Sequence, residues 1–352
     1  MYLITCGPGT ELYSTFGHSA IWVLDSLSNI DEVYNFGTFD FETEGFYVKF
    51  TKGKLPYALD YSSLKTFVHS YVYENREVKA QLLNLDSLQA EKLYTSLVLN
   101  MKEENRYYAY DFFFDNCSTR LRDLLENTLD SKEIWQPSEQ DKKETLRQML
   151  NPGVKKMPWT KFGFYLSLGS VTDRIATERE QLFLPDKLFS AFERAQIKGK
   201  NLVLQSYVVY KPTETTELPR ILFTPFVLVT IIWIAYIYFW KINNNKKIVV
   251  LIEYFILTVF GLTGLLLLFL WFGTEHQATK LNFNTLWASP LLLIFIFKTP
   301  FKFQKLVYWI LFVLFLLFLL VGLLKIQEFH LVSYLFSCLI FLILTKKTFL
   351  QN

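Results

Sequence analysis

The chain has 352 residues, a formal net charge of +3 and 51% hydrophobic residues, with 34 Phe and 20 Tyr but only 3 Cys and 4 His. So small a charge, with its basic residues set beside apolar runs, excludes a nucleic-acid-binding stripe, since phosphate recognition needs Lys and Arg clustered on one face. Up to about Leu218, charged, aromatic and apolar residues mix as in a domain large enough to bury its own core; from Ile221 onward Leu, Phe, Ile and Val dominate in long runs. The chain therefore reads as two domains, an exported one over 1–218 and a helical membrane one over 219–352.

Three strands open the chain, over residues 2–5, 19–24 and 32–36, each bounded by the Gly, Pro, Asn or Asp that turns require. Helical spacing of apolar residues then predicts helices over 62–73 and 87–101, the second opened by Asp86 as N-cap. Between them Val78, Ala80 and Leu82 alternate as a strand within 76–85. A further helix is predicted over Cys117–Leu129, capped by Asp115 or Asn116.

Within this order a histidine begins an alternating apolar strand, Phe16-Gly17-His18-Ser19-Ala20-Ile21-Trp22-Val23, and far along the chain Asp115-Asn116-Cys117-Ser118-Thr119-Arg120 heads a helix. A thiolate forms readily beside an imidazole and at a helix N-terminus, where unpaired N–H groups and the helix dipole favour negative charge. Cys117 is thus the candidate nucleophile and His18 its base, with Asn116 and Ser118 as orienting or oxyanion-binding neighbours. Asn35, on the strand after that of His18, is the candidate partner of the imidazole; the plainer alternative is that it only ends a strand.

Taken alone, Cys117 would be a small buried hydrophobe and His18 a hydrogen-bonded core histidine, but His69, His276 and His330 are worse placed for the chemistry. Cys6, in a Cys-Gly-Pro-Gly turn, reads as structural or pocket-lining; pairing it with Cys117 in an oxidising compartment would silence the thiol. Arg120 and Asp123, three apart on the helix, suggest a surface ion pair. Arg76 and Arg120 are candidate substrate contacts. The residues near the thiol lack metal-ligand spacing, so neither metal nor cofactor is expected.

A membrane-crossing helix needs about 20 apolar residues, a length met by 221–240, 248–272 and 306–324. Residues 287–297, interrupted by Pro290, and Leu331–Thr345 are shorter, and with them five spans are expected. Lys241, Lys246, Lys247, Lys298, Lys302, Lys305, Lys346 and Lys347 fall in one set of loops, against Lys280 and Lys325 in the other. Positive-inside then places the C-terminus in the cytoplasm and the first domain in the periplasm, across a bacterial inner membrane. Such a domain needs an export signal, yet the first six residues have neither a basic n-region nor an adequate apolar h-region, so a leader is expected to have been removed or to lie outside this sequence. The outer loop 274–287 carries His276, Asn282, Asn284 and Trp287, either as an anchored turn or as a contact for a lipid substrate.

A strand histidine that precedes an Asn-Cys pair at a helix start resembles the circularly permuted NlpC/lecithin:retinol acyltransferase branch of the papain-like thiol enzymes. A closer resemblance is to the lipoprotein N-acyltransferase Lnb family and its homologues in Bacteroidota. It is carried by Thr5-Cys6-Gly7-Pro8-Gly9, Phe16-Gly17-His18-Ser19-Ala20, Tyr34-Asn35-Phe36-Gly37-Thr38-Phe39-Asp40, Glu74-Asn75-Arg76, the run from Tyr110 to Arg120, and Phe183-Leu184-Pro185. The resemblance implies an α+β permuted papain-like exported domain followed by an all-α polytopic membrane domain. It also implies transfer of an acyl chain from the diacylglyceryl ester of a lipoprotein to the α-amino group of its N-terminal cysteine, through a Cys117 thioester, leaving a lyso-form product. The implied partners are diacylglyceryl-modified lipoproteins and membrane phospholipid, and family members carry a His, Asn and Trp-Pro pattern similar to that around His276, Asn282, Asn284 and Trp287. Two other readings stay open: a membrane-anchored NlpC-like cell-wall amidase or peptidase, for which five spans are more anchor than needed, and a non-enzymatic membrane interaction protein in which Cys117 would be replaceable.

Overall fold

The computed structural model describes residues 1–131, 134–136, 143–213, 223–243 and 245–350. The chain forms two compact units, Met1–Gly153 with Ile175–Glu217, and Val154–Arg174 with Leu218–Asn352. The expected domain boundary at 218–219 lies outside the described residues.

The first unit is built on a seven-stranded antiparallel sheet in the spatial order β6-β4-β3-β2-β1-β5-β7. Its strands are β1 (Tyr2–Cys6), β2 (His18–Asp25), β3 (Ile30–Thr38), β4 (Pro56–Ser62), β5 (Val78–Leu83), β6 (Tyr107–Ala109) and β7 (Val203–Tyr210). The β2–β3 turn is made locally: the Asp25 carboxylate accepts from the Leu27 and Ser28 N–H groups, and Asn29 takes the left-handed conformation that asparagine tolerates. That turn sets the register Ile21↔Tyr34 and Trp22↔Val33. Side chains alternate along a strand, so Leu3, Ile21, Val23 and Tyr34 face one side, under α3 (Ser87–Asn100), α4 (Cys117–Leu129) and the helix Pro185–Arg194. Ile4, Cys6, Ala20 and Val33 face the other, where Phe67 and Tyr71 of α2 (Leu64–Tyr73) cover them. A short helix, α1 (Phe46–Thr51), buries none of its residues. Three of the strands, β4, β6 and β7, have no counterpart among the expected elements; β6 has only three residues, and β7 lies at the sheet edge and is largely exposed, so it carries no alternation to read.

The second unit contains α5 (Pro158–Ser167), α6 (Pro225–Ile237), α7 (Lys246–Phe272), α8 (Phe301–Leu323) and α9 (Leu331–Thr345). Among the described residues four helical stretches are long and apolar enough to cross a membrane: Pro225–Ile242, Lys246–Phe272, Phe301–Leu323 and Leu331–Phe349. The stretch expected as a short span over 287–297 is instead a seven-residue 3-10 helix, Pro290–Ile296. It seats on α7, where the absence of a side chain is required: a Cβ on Gly264 would lie 2.3 Å from the Ala288 carbonyl oxygen.

The direction of the chain follows from polar contacts at the two ends of this bundle. Lys346, following α9, lies 2.6 Å from Glu253 near the start of α7, and the Tyr308 hydroxyl near the start of α8 meets Thr345 at 3.2 Å. At the other end Gln327, beyond α8, donates to Asn282, beyond α7. Thus α7 and α8 run the same way, and the chain between them returns along the bundle through Pro290–Ile296. Irregular backbone at membrane depth is tolerated only where protein covers it, and Trp287, Ala288, Leu292 and Phe295 are all buried.

Candidate active site

Cys117, the candidate nucleophile, is positioned by its helix cap. Asn116 is the N-cap of α4: its side-chain oxygen accepts from the Thr119 N–H at 2.9 Å, while its own N–H donates to the Thr119 hydroxyl at 2.7 Å. The Asn116 amide nitrogen donates to the carbonyls of Phe112 and Phe183, both at 2.9 Å, which ties the helix start to a segment much later in the chain. Cys117 therefore stands at the first helical position, where amide N–H groups lack intrahelical partners. Burial of Leu121 and Leu125 anchors the rest of α4 against the sheet, at about 1.5–3 kcal/mol for each side chain.

His18 opens β2, directly opposite Cys6 of β1, and shares its face with Ala20 and, on β3, Val33 and Asn35. Its Nε2–H donates to Asn35 Oδ1 at 2.5 Å, which leaves Nδ1 as the nitrogen that meets the Cys117 thiol. Thiol and imidazole arrive from opposite faces of the sheet and meet at its end. Gly37 makes this meeting place: β3 shifts register between Phe36 and Thr38, and Gly37 adopts φ +91°, a backbone that suits glycine. A Cβ there would sit 3.9 Å from Cys117 Cβ and 3.7 Å from both the Tyr108 hydroxyl and the Tyr110 ring.

Burial alone would push the Cys117 thiol up and the His18 imidazole down. Two other effects outweigh it. The charges and hydrogen bond of the pair act on both groups, Asn35 holds the imidazolium, and the Ser19 N–H and Ser118 hydroxyl donate to the sulfur. The thiol is thus lowered and the imidazole raised, the two directions that favour a thiolate–imidazolium pair. The second thiol differs. Cys6 is fully buried beside the Tyr71 hydroxyl, and burial pushes it up to about 12, so it stays protonated near neutral pH.

The remaining candidates are occupied in other ways. Ser118 Oγ lies 3.1 Å from Ser19 Oγ, linking α4 to β2 beneath the sulfur. Arg76 is buried, donates to the Gly7 carbonyl and Glu74, and covers the Tyr71 ring. Arg120 does not pair with Asp123 as its helical spacing suggested. It grips Asp115 through two bonds, at 2.6 and 2.8 Å, and stacks on Tyr108, while Asp123 is taken by Arg122 and, from the short helix Glu178–Gln181, Arg179. In the second unit Asn282 and Asn284 are buried and donate to the last carbonyls of α5, those of Tyr165, Leu166 and Ser167. The Trp287 indole donates to Asn284 at 2.9 Å, and half-buried His276 heads the turn that follows α7. The residues the sequence reading missed are Gly37 and Ser19; the signal for Gly37 was a glycine interrupting a strand pattern, which marks a bulge or a close approach.

Two family models match the chain in tandem: the Lnb N-terminal periplasmic domain over residues 1–151 and the Lnb transmembrane domain over residues 216–351. No curated protein and no solved structure matches it. The first match covers His18, Asn35 and Cys117, and the second covers all four candidate spans. With a periplasmic N-terminal domain joined to a transmembrane domain, in the order in which its residues had suggested, the chain belongs to the Lnb family.

Proposed function

We propose that this protein is a lipoprotein N-acyltransferase that works through an acyl-thioester on Cys117, in a permuted papain-like domain. The observation that carries the reading is the Cys117–His18–Asn35 arrangement in a chain of the Lnb family. The Cys117 thiolate attacks the carbonyl of a fatty ester on a diacylglyceryl lipoprotein; the S–C bond forms as the C–O bond breaks, and the His18 imidazolium gives its proton to the departing alkoxide. The lipoprotein's α-amine then attacks the thioester, His18 takes the amine proton, and the thiolate leaves. The Cys117 backbone N–H at the helix start is the oxyanion donor in both steps. Asn116 and Ser118 orient the thiol, and Arg76, Arg120 and the Asn282–Asn284 turn hold the scaffold.

In this reading the protein lies in a bacterial inner membrane with its C-terminus in the cytoplasm, and the Pro290–Ile296 return supplies a fifth passage. The shared end of α9 with the starts of α7 and α8 supports this, because it gathers Lys246, Lys247, Lys302, Lys305, Lys346 and Lys347 on one side. The test is incubation of the full-length protein in bilayer nanodiscs with a diacylated lipopeptide, read by mass spectrometry. The expected product is isobaric with the substrate, its amine blocked and one ester hydroxyl free, and Cys117→Ala abolishes it. Release of free fatty acid without N-acylation would favour a hydrolase instead.

A further inference from the structure

A row of aromatic rings runs from the thiol to the surface of the first unit. It begins with Tyr110, whose ring lies beside Gly37 and Cys117. Tyr110 stacks on Tyr57 with centroids 4.3 Å apart, Tyr57 meets Phe39 at 5.3 Å, and Phe39 meets Phe41 at 5.0 Å and Phe46 at 6.0 Å. From Phe46 the row continues to Tyr47 and Phe50 on α1. At its outer end Phe41 is 62% exposed, Tyr47 80% and Phe50 50%. The row ends in a helix that buries nothing, and contiguous exposed apolar surface of this kind marks a binding site for apolar matter.

We propose that this row is the acyl-chain subsite: the fatty chain of the donor ester lies along it, carbonyl at Cys117 and tail toward α1, with α1 reaching the outer leaflet from which the chain comes. The proposal rests on the acyl-transfer reading and adds where the chain is held. Three observations select a lipid chain over a protein partner. The inner end of the row stands where the thioester carbonyl must form, so its occupant is continuous with the reacting group. The missing side chain at Gly37 leaves a methyl-sized position bounded by Cys117, the Tyr108 hydroxyl and the Tyr110 ring, so that sulfur and rings meet without a side chain between them. The exposed rings lie among Asp40, Glu42 and Glu44 at one end and Lys49, Lys52 and Lys54 at the other, a charge-balanced aromatic stretch that suits a lipid–water interface, and the same chain carries membrane spans that keep a bilayer within reach.

The test uses the full-length protein in nanodiscs and a diacylated lipopeptide whose fatty chains end in a diazirine. After irradiation of the Cys117→Ala variant, which retains substrate without turnover, crosslinks should map to residues 39–57. In the active protein, the combined Phe41→Ser, Tyr47→Ser and Phe50→Ser substitutions should lower kcat/KM for a long-chain lipopeptide relative to a short-chain ester by at least tenfold. Leu27→Ser, an exposed apolar residue on the β2–β3 turn, should leave that ratio alone. N-acylation with crosslinks only outside 39–57, or an unaltered ratio in the triple variant, would overturn the subsite while leaving the reaction standing. Crosslinks at 39–57 without N-acylation would retain the subsite and remove the proposed reaction.

Discussion

Replacing Asn35 with alanine removes the acceptor that lies 2.5 Å from His18 Nε2. A hydrogen bond to a charged group is worth roughly 1.5–3 kcal/mol, so kcat/KM should fall about 10- to 150-fold. His18 is only partly buried, and water admitted to the gap would move the loss toward the smaller figure. The pH profile carries the more specific expectation. The Asn35 bond raises the imidazole, so its loss lowers His18 and moves the alkaline limb, where imidazolium is lost, to lower pH. The thiol is lowered mainly by that imidazolium, which is still protonated at the acid limb, so the limb where thiolate is lost stays in place. The active window therefore narrows from its alkaline side. Alkylation of Cys117 by iodoacetamide as a function of pH measures this without substrate, and steady-state rates on lipopeptide measure it with substrate. Asn35→Asp, which supplies a charged acceptor, should restore much of the rate and carry the alkaline limb above that of the wild type. An alanine variant whose rate and alkylation profile superimpose on the wild type would refute the assignment of Asn35 as the imidazole's partner.

Three further outcomes are expected. Brief iodoacetamide treatment near neutral pH should label Cys117 and spare Cys6, whose thiol is pushed up to about 12; peptide mass mapping reads the difference, and equal labelling would contradict it. Asn284→Ala removes the donor to the Tyr165 carbonyl and the acceptor of the buried Trp287 indole, at about 1–3 kcal/mol for each bond lost, and should lower the unfolding midpoint of the detergent-solubilised protein. Glu253→Ala leaves Lys346 with an uncompensated charge in a buried setting, at about 3–5 kcal/mol, and adding Lys346→Met should recover a good part of that loss in the same assay.

The elements that carry the chemistry were legible because each is specified locally. The strand of His18 alternates apolar residues, and α4 announces itself with an Asn at its cap and apolar residues at helical spacing. Asp86 caps α3, with Gln89 completing the capping box, for the same reason. What escaped was long-range. Asp123 is claimed by Arg179, which no helical spacing reveals, and Arg120 turns back to Asp115 because the Tyr108 ring waits beneath it. The outer-loop asparagines look like exposed polar groups in the sequence, whereas the end of α5, distant along the chain, absorbs them. Residues 287–297 have the hydropathy of a helix, but the close approach to Gly264 fixes a tighter backbone, and that approach is a property of packing.

The bond from Asn116 to the Phe183 carbonyl gives the site a history as well as a shape. During export the thiol emerges first and the segment that completes its cap follows 66 to 67 residues later, a delay of several seconds at about 5–20 residues per second. For that interval the nascent cysteine faces the periplasm with its local Asn116–Thr119 cap but without the Phe183 carbonyl that anchors the cap. The closing of the sheet over Cys6 is timed differently: β1 needs only β2 and β5, all of which have emerged before Cys117 does. When Cys117 emerges, every strand and helix that buries Cys6 in the finished fold has already preceded it. The order of the chain thus lets Cys6 be shielded before Cys117 appears, and a circular permutant that released Cys117 ahead of β5 would lose that order.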